Sequence, residues 1–280
     1  MKRAVLLVFF ILYLCLIFPF TSYLKQRTFV EQLGYVPQPE ILKFATADQK
    51  QFMSASLVWK VLIYFGGLFD RAMNRIYTPP DFAGMQLTIK SAVTLDPYNM
   101  DAYYFAQAVM VWDMKEVKAA TELLEFGMKY RDWDWQLPYF AGFNYGYFLR
   151  NYDKAAEYFK QVGELTGNVL SINLAGRYMY EAGQTDMAIA YLTAMEMGAQ
   201  NEAIRRSFKI RLEAFKGVKL METARDAYVK KYEKNPASVE TLLDRGFIKE
   251  IPVDPYGGTF YLDESGRVRS TSKFAFGGKK

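Results

Sequence analysis

The stretch LAGRYMYEAGQTDMAIAYL, residues 174–192, decides the fold. It reads as two helices joined by a turn at Gly183. Small side chains, Ala175 in the first helix and Ala188 in the second, lie among large apolar ones, and Leu192 follows Ala188 by one helical turn. A small residue inside an apolar stripe at helical spacing predicts that the two helices pack closely.

The same arrangement recurs along the chain. The stretch RNYDKAAEYFKQ, residues 150–161, places Ala155 one turn before Phe159, and METARDAYVKKYEKNP, residues 221–236, contains Ala224. The alanines at 155, 188 and 224 are 33 and 36 positions apart. In the same frame, a large residue lies near the start of each first helix, at Tyr103, Tyr139, Ile172 and Phe208.

Helix pairs at this period resemble the tetratricopeptide repeat (TPR), a helix-turn-helix unit of about 34 residues. The resemblance covers residues 100–236, with an irregular extra unit from about residue 47 to 97. Gln107, Phe143 and Leu212 depart from it, since they stand where the family prefers glycine. The resemblance implies an all-α chain with a TPR-like solenoid over residues 47–236. A helical bundle without repeats is the alternative.

After Pro236 the sequence no longer follows the pattern of helix pairs. Residues 237–280 are expected to form a short capping helix that stops at Gly246, followed by a β-hairpin tail. In this tail, TFYL and RVRS flank the turn DESG, with Gly266 in the left-handed conformation. The preceding DPYGG also resembles a C-terminal loop of type II secretion pseudopilins, which implies a possible calcium site at Asp254 and Asp263. A turn that seals the end of the solenoid is the simpler interpretation.

The N-terminal segment AVLLVFFILYLCLIFPFTSYL, residues 4–24, carries no charge. As a helix it is long enough to cross about 30 Å of hydrocarbon. We therefore expect residues 1–27 to be a single-pass signal-anchor and residues 28–46 to be a linker. A cleaved signal peptide and a buried helix of a soluble protein are the alternatives.

The charges beside this segment predict its orientation. Lys2 and Arg3 precede it and Lys25 and Arg27 follow it, and together with the α-amine this count favours an N-terminus inside. The expected location is a bacterial inner membrane with the body of the protein in the periplasm.

The residue types that are missing limit the chemistry. The sequence contains no histidine and one cysteine, Cys15, inside the apolar segment. Mechanisms based on histidine as a base or zinc ligand are therefore excluded, and we expect no enzyme activity, no metal and no cofactor. The net charge of +5 is dispersed along the chain, so we also expect no binding to nucleic acid.

The resemblance to TPR proteins implies a concave groove lined by the first helix of each unit. Carried over by family position, the groove would run from aromatic to basic and would bind a peptide. The residues expected to line it are Tyr104, Trp112, Phe140, Asn144, Tyr147, Asn173, Arg177, Tyr180, Arg206 and Lys209. The alternatives are that the aromatic residues belong to the core and that the basic residues form a face exposed to solvent.

Two functional hypotheses follow. The first is a membrane-anchored scaffold that binds a protein or peptide with acidic or C-terminal carboxylate groups during assembly of an envelope complex. The second is a structural subunit of a secretion or type IV pilus-like machine that docks through its C-terminal hairpin.

Overall fold

A computed structural model describes residues 2–26, 32–74 and 79–274, with the side chains of residues 9–10 and 12–23 in the first helix. Over these ranges the chain is mostly helical and contains one small antiparallel sheet, as expected. It divides into two compact units, residues 1–115 and 116–280. The unit boundary falls inside the segment predicted to be one solenoid, and a short helix lies in the predicted linker.

Unit 1 contains the first five helices. They are α1 (Lys2–Gln26), α2 (Pro39–Ala45), α3 (Lys50–Met73), α4 (Phe82–Leu95) and α5 (Met100–Phe105), which continues as a π-helical segment (Ala106–Met110). Helices α3 and α4 pack together, and the buried Ser54 donates a hydrogen bond to the carbonyl of Ala92 at 2.9 Å. Asp81 caps α4 by accepting from the backbone N–H of Gly84 and also accepts from that of Leu33, which fixes the chain before α2 against α4.

Unit 2 contains the remaining helices and the sheet. They are α6 (Val117–Met128), α7 (Gln136–Phe143) with a π-helical segment (Asn144–Phe148), α8 (Tyr152–Thr166), α9 (Val169–Glu181), α10 (Thr185–Gly198), α11 (Glu202–Tyr232), α12 (Val239–Asp244), β1 (Phe260–Leu262) and β2 (Val268–Ser270). Each of α7, α8, α9 and α10 packs against the next helix in the chain.

Glycines mark the points where consecutive helices approach most closely. A Cβ on Gly142 of α7 would lie 3.1 Å from the Phe159 ring of α8, and one on Gly176 of α9 would lie 3.0 Å from Leu192 of α10. Ala155 and Ala188 are fully buried, as their predicted packing role requires. The sequence therefore identified the close contacts of these helix pairs, although a TPR solenoid is not thereby demonstrated.

The fourth predicted unit is not a helix-turn-helix, because α11 is one continuous helix of 31 residues. The prediction required a break between Phe208 and Ala224, but this part of the sequence contains no proline and only Gly217 as a weak breaker. A single glycine costs a helix about 1 kcal/mol, which packing can offset. Here a Cβ on Gly217 would lie 3.2 Å from the Phe260 ring, so the glycine makes room for the C-terminal sheet.

The tail forms the predicted capping helix and hairpin. Strand β1 pairs antiparallel with β2 in the register Tyr261 opposite Arg269. Gly246 and Gly266 have φ of +74° and +78°, which is the left-handed conformation expected at both turns. Ile248, Phe260, Val268 and Phe274 are buried, so the hairpin is packed against the helices of unit 2.

One described helix is long and apolar enough to cross a membrane, and it is the internal helix α3, with a mean hydropathy of 1.5. A packed helix of a globular unit can have the same composition, and α3 does bury one face against α4. Within α1, the described side chains include a shorter apolar stretch, Leu12–Tyr23. The predicted membrane orientation depends on Lys2, Arg3, Lys25 and Arg27, and these residues lie outside the described side chains.

Candidate functional site

The predicted site residues belong to two units. Tyr104 and Trp112 lie in unit 1 and are about half exposed, whereas the other eight lie in unit 2. Tyr147 is the most exposed of the aromatic residues predicted for the site, at 62%, and its ring stacks on Phe143 at a centroid distance of 5.4 Å. Phe140 is half-buried and meets the Tyr139 ring edge-on.

Three of the predicted contact residues are buried. Asn144 donates a hydrogen bond to Thr121 Oγ1 at 3.1 Å, and Asn173 donates to the carbonyl of Val169 at 3.0 Å. The hydroxyl of Tyr180 donates to the carbonyl of Val268 in the hairpin at 2.6 Å, and burial raises the pKa of Tyr180 to about 12. These side chains hold elements of unit 2 together and are not presented to a peptide in this structure.

The C-terminal tail lies against α9 and α11, where the groove was expected to be basic. Arg267 donates hydrogen bonds to the carbonyls of Tyr180 and Glu181, both at 3.0 Å. These carbonyls end α9, so the guanidinium satisfies acceptors that have no partner within the helix. The Phe274 ring meets both Tyr180 and Phe215 edge-on. The chain therefore occupies part of this surface with its own tail.

The DPYGG turn is held by the buried Asp254. One carboxylate oxygen accepts from the backbone N–H of Tyr256 at 2.8 Å, and the other accepts from the hydroxyls of Ser270 and Ser272. A Cβ on Gly258 would lie 2.6 Å from the backbone nitrogen of Ser272. These contacts explain the turn sequence by packing, and no group of three or more potential metal ligands occurs among the residues that the structure describes.

A cavity of about 440 Å³ in unit 2 contains two predicted residues, Arg206 and Lys209. We call it the Arg206 cavity, and its wall also contains Arg205, Glu196, Glu202, Glu213, Ile210 and Pro255. Arg205 pairs with Glu202 at 2.9 Å and Glu213 pairs with Lys216 at 3.0 Å. Within the described ranges, neither Arg206 nor Lys209 forms an ion pair, so these two exposed cations remain available.

A second cavity, of about 260 Å³, contains the predicted residues Arg177 and Tyr180. We call it the Arg177 cavity, and its wall also contains Glu181, Tyr261, Arg269, Ser270, Lys273 and Phe274. Arg269 pairs with Glu181 at 2.6 Å. Arg177 and Lys273 have no ion-pair partner in the part of the chain that the structure describes, which leaves this cavity with two uncompensated positive charges.

The tail residues of the Arg177 cavity were missed by the sequence analysis. The signal was present in the strand sequence RVRS, because alternation along a strand sets Arg267 and Arg269 on the face opposite Val268 and Ser270. The sequence did not indicate which surface of the protein this face of the strand would contact. The nearby buried Arg211, whose pKa is lowered by burial, reaches the carbonyl of Phe274 at 3.1 Å.

The described cluster that most resembles an acid–base site is centred on Glu125. Its Oε1 accepts hydrogen bonds from Tyr145 at 2.7 Å, Tyr158 at 2.8 Å and Lys154 at 3.1 Å. Burial raises the pKa of Glu125, but the three donors outweigh it and the pKa is lowered overall. The hydrogen bonds that Lys154 Nζ donates to the Tyr145 hydroxyl and to Glu125 raise the pKa of Lys154 to about 12.

These shifts move the pKa values of Glu125 and Lys154 further from pH 7, whereas a general acid or base requires a pKa close to the working pH. The network joins α6, the π-helical segment after α7 and α8. We interpret it as a structural link between these elements.

No protein-family model, curated protein or solved structure matches this chain.

Proposed function

We propose that the protein is a membrane-anchored helical scaffold that binds an acidic segment or C-terminal carboxylate of a partner protein. The observation that carries this proposal is the set of cations without ion-pair partners in the two cavities of unit 2, namely Arg206, Lys209, Arg177 and Lys273 among the described residues. Arginine and lysine side chains in a recess hold carboxylates through charge-assisted hydrogen bonds.

The charge of the cavity walls supports this assignment. In the Arg206 cavity, Glu196 is the one carboxylate with no ion pair among the described residues, against two such cations. In the Arg177 cavity, the single carboxylate, Glu181, is already paired with Arg269. Both cavities therefore favour an anionic ligand, and the Arg177 cavity does so more strongly.

The arrangement of the helices in unit 2 supports a scaffold related to TPR proteins. Consecutive helices from α7 to α10 pack through small residues such as Gly142, Gly176 and Ala188. Such stacks offer extended surfaces for peptides. The continuous α11 departs from that pattern, so the proposed repeats are α7–α8 and α9–α10, with α11 closing the stack.

The anchor remains part of the proposal. Helix α1 has 25 residues, and a helix of that length extends about 37 Å, enough to cross a bilayer. Its described side chains are mostly exposed, including Phe9, Phe10 and Phe18. A helix of exposed aromatic and aliphatic residues is unfavourable in water and favourable in lipid.

The alternative, a machine subunit that docks through its hairpin, has less support. The hairpin already buries Phe260, Val268 and Phe274 against its own chain. An intermolecular docking would have to replace those contacts, and no described feature favours that exchange.

Binding of a labelled acidic peptide to the full-length protein in detergent micelles tests the proposal. A free C-terminal carboxylate should bind, and the amidated peptide with Glu changed to Gln should not. The double reversal Arg206→Glu/Lys209→Glu and the single reversal Arg177→Glu should each weaken binding about tenfold or more, and added salt should weaken binding to the unaltered protein.

A matched control reverses two other exposed cations, Lys230→Glu/Lys234→Glu, outside both cavities. Because exposed charges contribute little to stability, the Arg206→Glu/Lys209→Glu variant and the control should keep the unaltered melting curve. Arg177 is half-buried, so the affinity of the Arg177→Glu variant is interpreted beside its own melting curve. Equal peptide affinity in the cavity variants and the control would refute the proposed site.

A further inference from the structure

Helix α3 has a second apolar face that nothing in the described chain covers. Its buried face, which includes Leu57, Val61 and Tyr64, belongs to the core of unit 1. On the other side six large apolar residues are between 41% and 77% exposed, namely Phe52, Trp59, Leu62, Ile63, Phe69 and Met73. We call this face the α3 stripe.

The stripe is large enough to form a stable interface. At roughly 150–250 Å² for a fully exposed large side chain, the six residues present on the order of 700 Å² of apolar surface. The largest apolar patch on a typical monomer is about 300–600 Å². A standard interface buries about 800 Å² on each partner, so the stripe matches one side of such an interface.

The spacing of the stripe is typical of helix–helix contact. Positions 52, 55, 59, 62, 66, 69 and 73 alternate steps of three and four residues, as in a seam between two helices. Two of these positions hold the small residues Ala55 and Gly66, which are exposed. Small residues allow another helix to approach closely, whereas they give no advantage against lipid tails.

We propose that the α3 stripe is the interface of a homodimer, in which α3 pairs antiparallel with α3 of a second copy of this chain. The two-fold axis passes beside Leu62, so that seam positions whose numbers add up to 124 or 125 face each other. This pairing sets Trp59 against Gly66 and Phe52 against Met73. Large residues thereby meet small or flexible ones across a self-complementary interface.

A cavity on the stripe fits the same arrangement. It measures about 320 Å³ and is lined by Phe52, Ala55, Trp59 and Leu62 of α3, with Asp101 of α5 at its edge. The antiparallel pairing brings the second copy's Phe69 to the Ala55 position, where its ring enters this cavity. A parallel pairing would instead set Trp59 against Trp59 and leave Gly66 facing Gly66.

A bilayer surface is the competing occupant. The acidic groups Asp101, at the cavity edge, and Asp70, exposed beside Phe69, disfavour an anionic membrane surface. The small residues Ala55 and Gly66 in the stripe favour a second protein helix instead.

Cross-linking of the full-length protein in detergent micelles tests both the dimer and its direction. In a Cys15→Ser background, which removes the only native thiol, Leu62→Cys should be joined to its own counterpart by a short bifunctional thiol reagent. Phe52→Cys alone should not cross-link, but a mixture of Phe52→Cys and Met73→Cys proteins should. Cross-linking of Phe52→Cys to itself would overturn the antiparallel pairing.

Sedimentation measures the energetic role of the stripe. The unaltered protein should sediment as a dimer, and Leu62→Lys should raise the dissociation constant by about a hundredfold, because two charges would be buried at the axis. The control Leu220→Lys, at an exposed leucine of α11, should remain dimeric. A dimer unaffected by Leu62→Lys would overturn the proposal.

Tryptophan quenching separates the bilayer from the second copy. A variant that keeps only Trp59 of the four tryptophans is placed in vesicles containing brominated lipid, beside a control that keeps only the exposed Trp133. Strong quenching of Trp59 in a monomeric protein would show that lipid covers the stripe and would overturn the proposal. A monomer without quenching would overturn it as well.

Discussion

Replacing Gly146 by alanine tests how tightly the helices of unit 2 are packed. Gly146 lies in the π-helical segment after α7. A Cβ there would lie 2.4 Å from Cζ and 2.5 Å from the hydroxyl oxygen of Tyr178 in α9. The Tyr178 ring has little freedom to move, because it stacks on two other rings. The centroid distance is 5.5 Å to the Phe159 ring and 6.0 Å to the Tyr152 ring.

The magnitude follows from two opposing effects. Overpacking of this kind costs about 1–3 kcal/mol, whereas replacing glycine by alanine inside a helix contributes up to about 1 kcal/mol in the other direction. We expect Gly146→Ala to lower the free energy of unfolding by about 1–2 kcal/mol. For a unit of roughly 150–250 residues that corresponds to a melting temperature about 2–8 °C lower.

The assay is thermal melting of the full-length protein followed by circular dichroism. The control is Gly198→Ala, at the last residue of α10, where a Cβ would meet no atom within 4 Å, so that its melting temperature should be unchanged or slightly higher. In a Tyr178→Leu background, Gly146→Ala should lose most of its cost, because the ring that it strikes is gone. If Gly146→Ala melts at or above the unaltered protein while the control behaves as expected, the contact between α9 and the π-helical segment is wrong.

Three further predictions concern packing, the hairpin turn and the membrane. Ala155→Leu and Ala188→Leu, at fully buried positions, should each lower the free energy of unfolding by about 1–3 kcal/mol in chemical denaturation, and unchanged midpoints for both would contradict the packing of α8 and α10. Burial raises the pKa of Asp263, but hydrogen bonds from Ser265, Arg267 and Arg269 outweigh it and lower the pKa from 3.8 to about 2. Because the folded pKa is depressed, the stabilising contribution is present above about pH 4 and is lost as the pH falls towards 2. The stability difference between the unaltered protein and Asp263→Asn should therefore shrink over that range, and a difference independent of pH would contradict the assignment. Finally, the protein should stay in carbonate-washed membranes with its N-terminus intact, whereas a soluble product that begins near residues 21–28 would show that the segment is a cleaved signal peptide.

The fold could be predicted where local rules decide it. The pair α9–α10, the capping helix and the hairpin each contain their own turn signal, such as Gly183 with φ of +80° and Gly266 with φ of +78°. The continuity of α11 could not be predicted in the same way. Gly217 is compatible with a continuous helix and with a turn between two helices. Its packing against Phe260, 43 positions further along the chain, favours the continuous helix.

The candidate site was predictable only in part, because family positions specify a helix face but not its neighbours. Arg206 and Lys209 lie together in one cavity because they are three residues apart on α11. Asn173 was assigned to the groove, yet it is buried and its amide lies 3.4 Å from Ser207 Oγ of α11. Such a long-range contact has no counterpart in the local pattern of either helix.

The docking of the tail on α9 and α11 has a consequence for how the chain is completed during synthesis. Tyr180 receives its hydrogen-bond partner, Val268, 88 positions later, and Arg211 reaches the carbonyl of Phe274 across 63 positions. Until residues 251–274 leave the ribosome, the nascent chain exposes the Tyr180 and Phe215 rings and the Arg211 guanidinium, and such surfaces attract chaperones and proteases. A product of premature termination near residue 250 would keep that exposed surface permanently. The tail thus covers part of the core of unit 2, and chains that stop before it would be degraded more readily than chains that contain it.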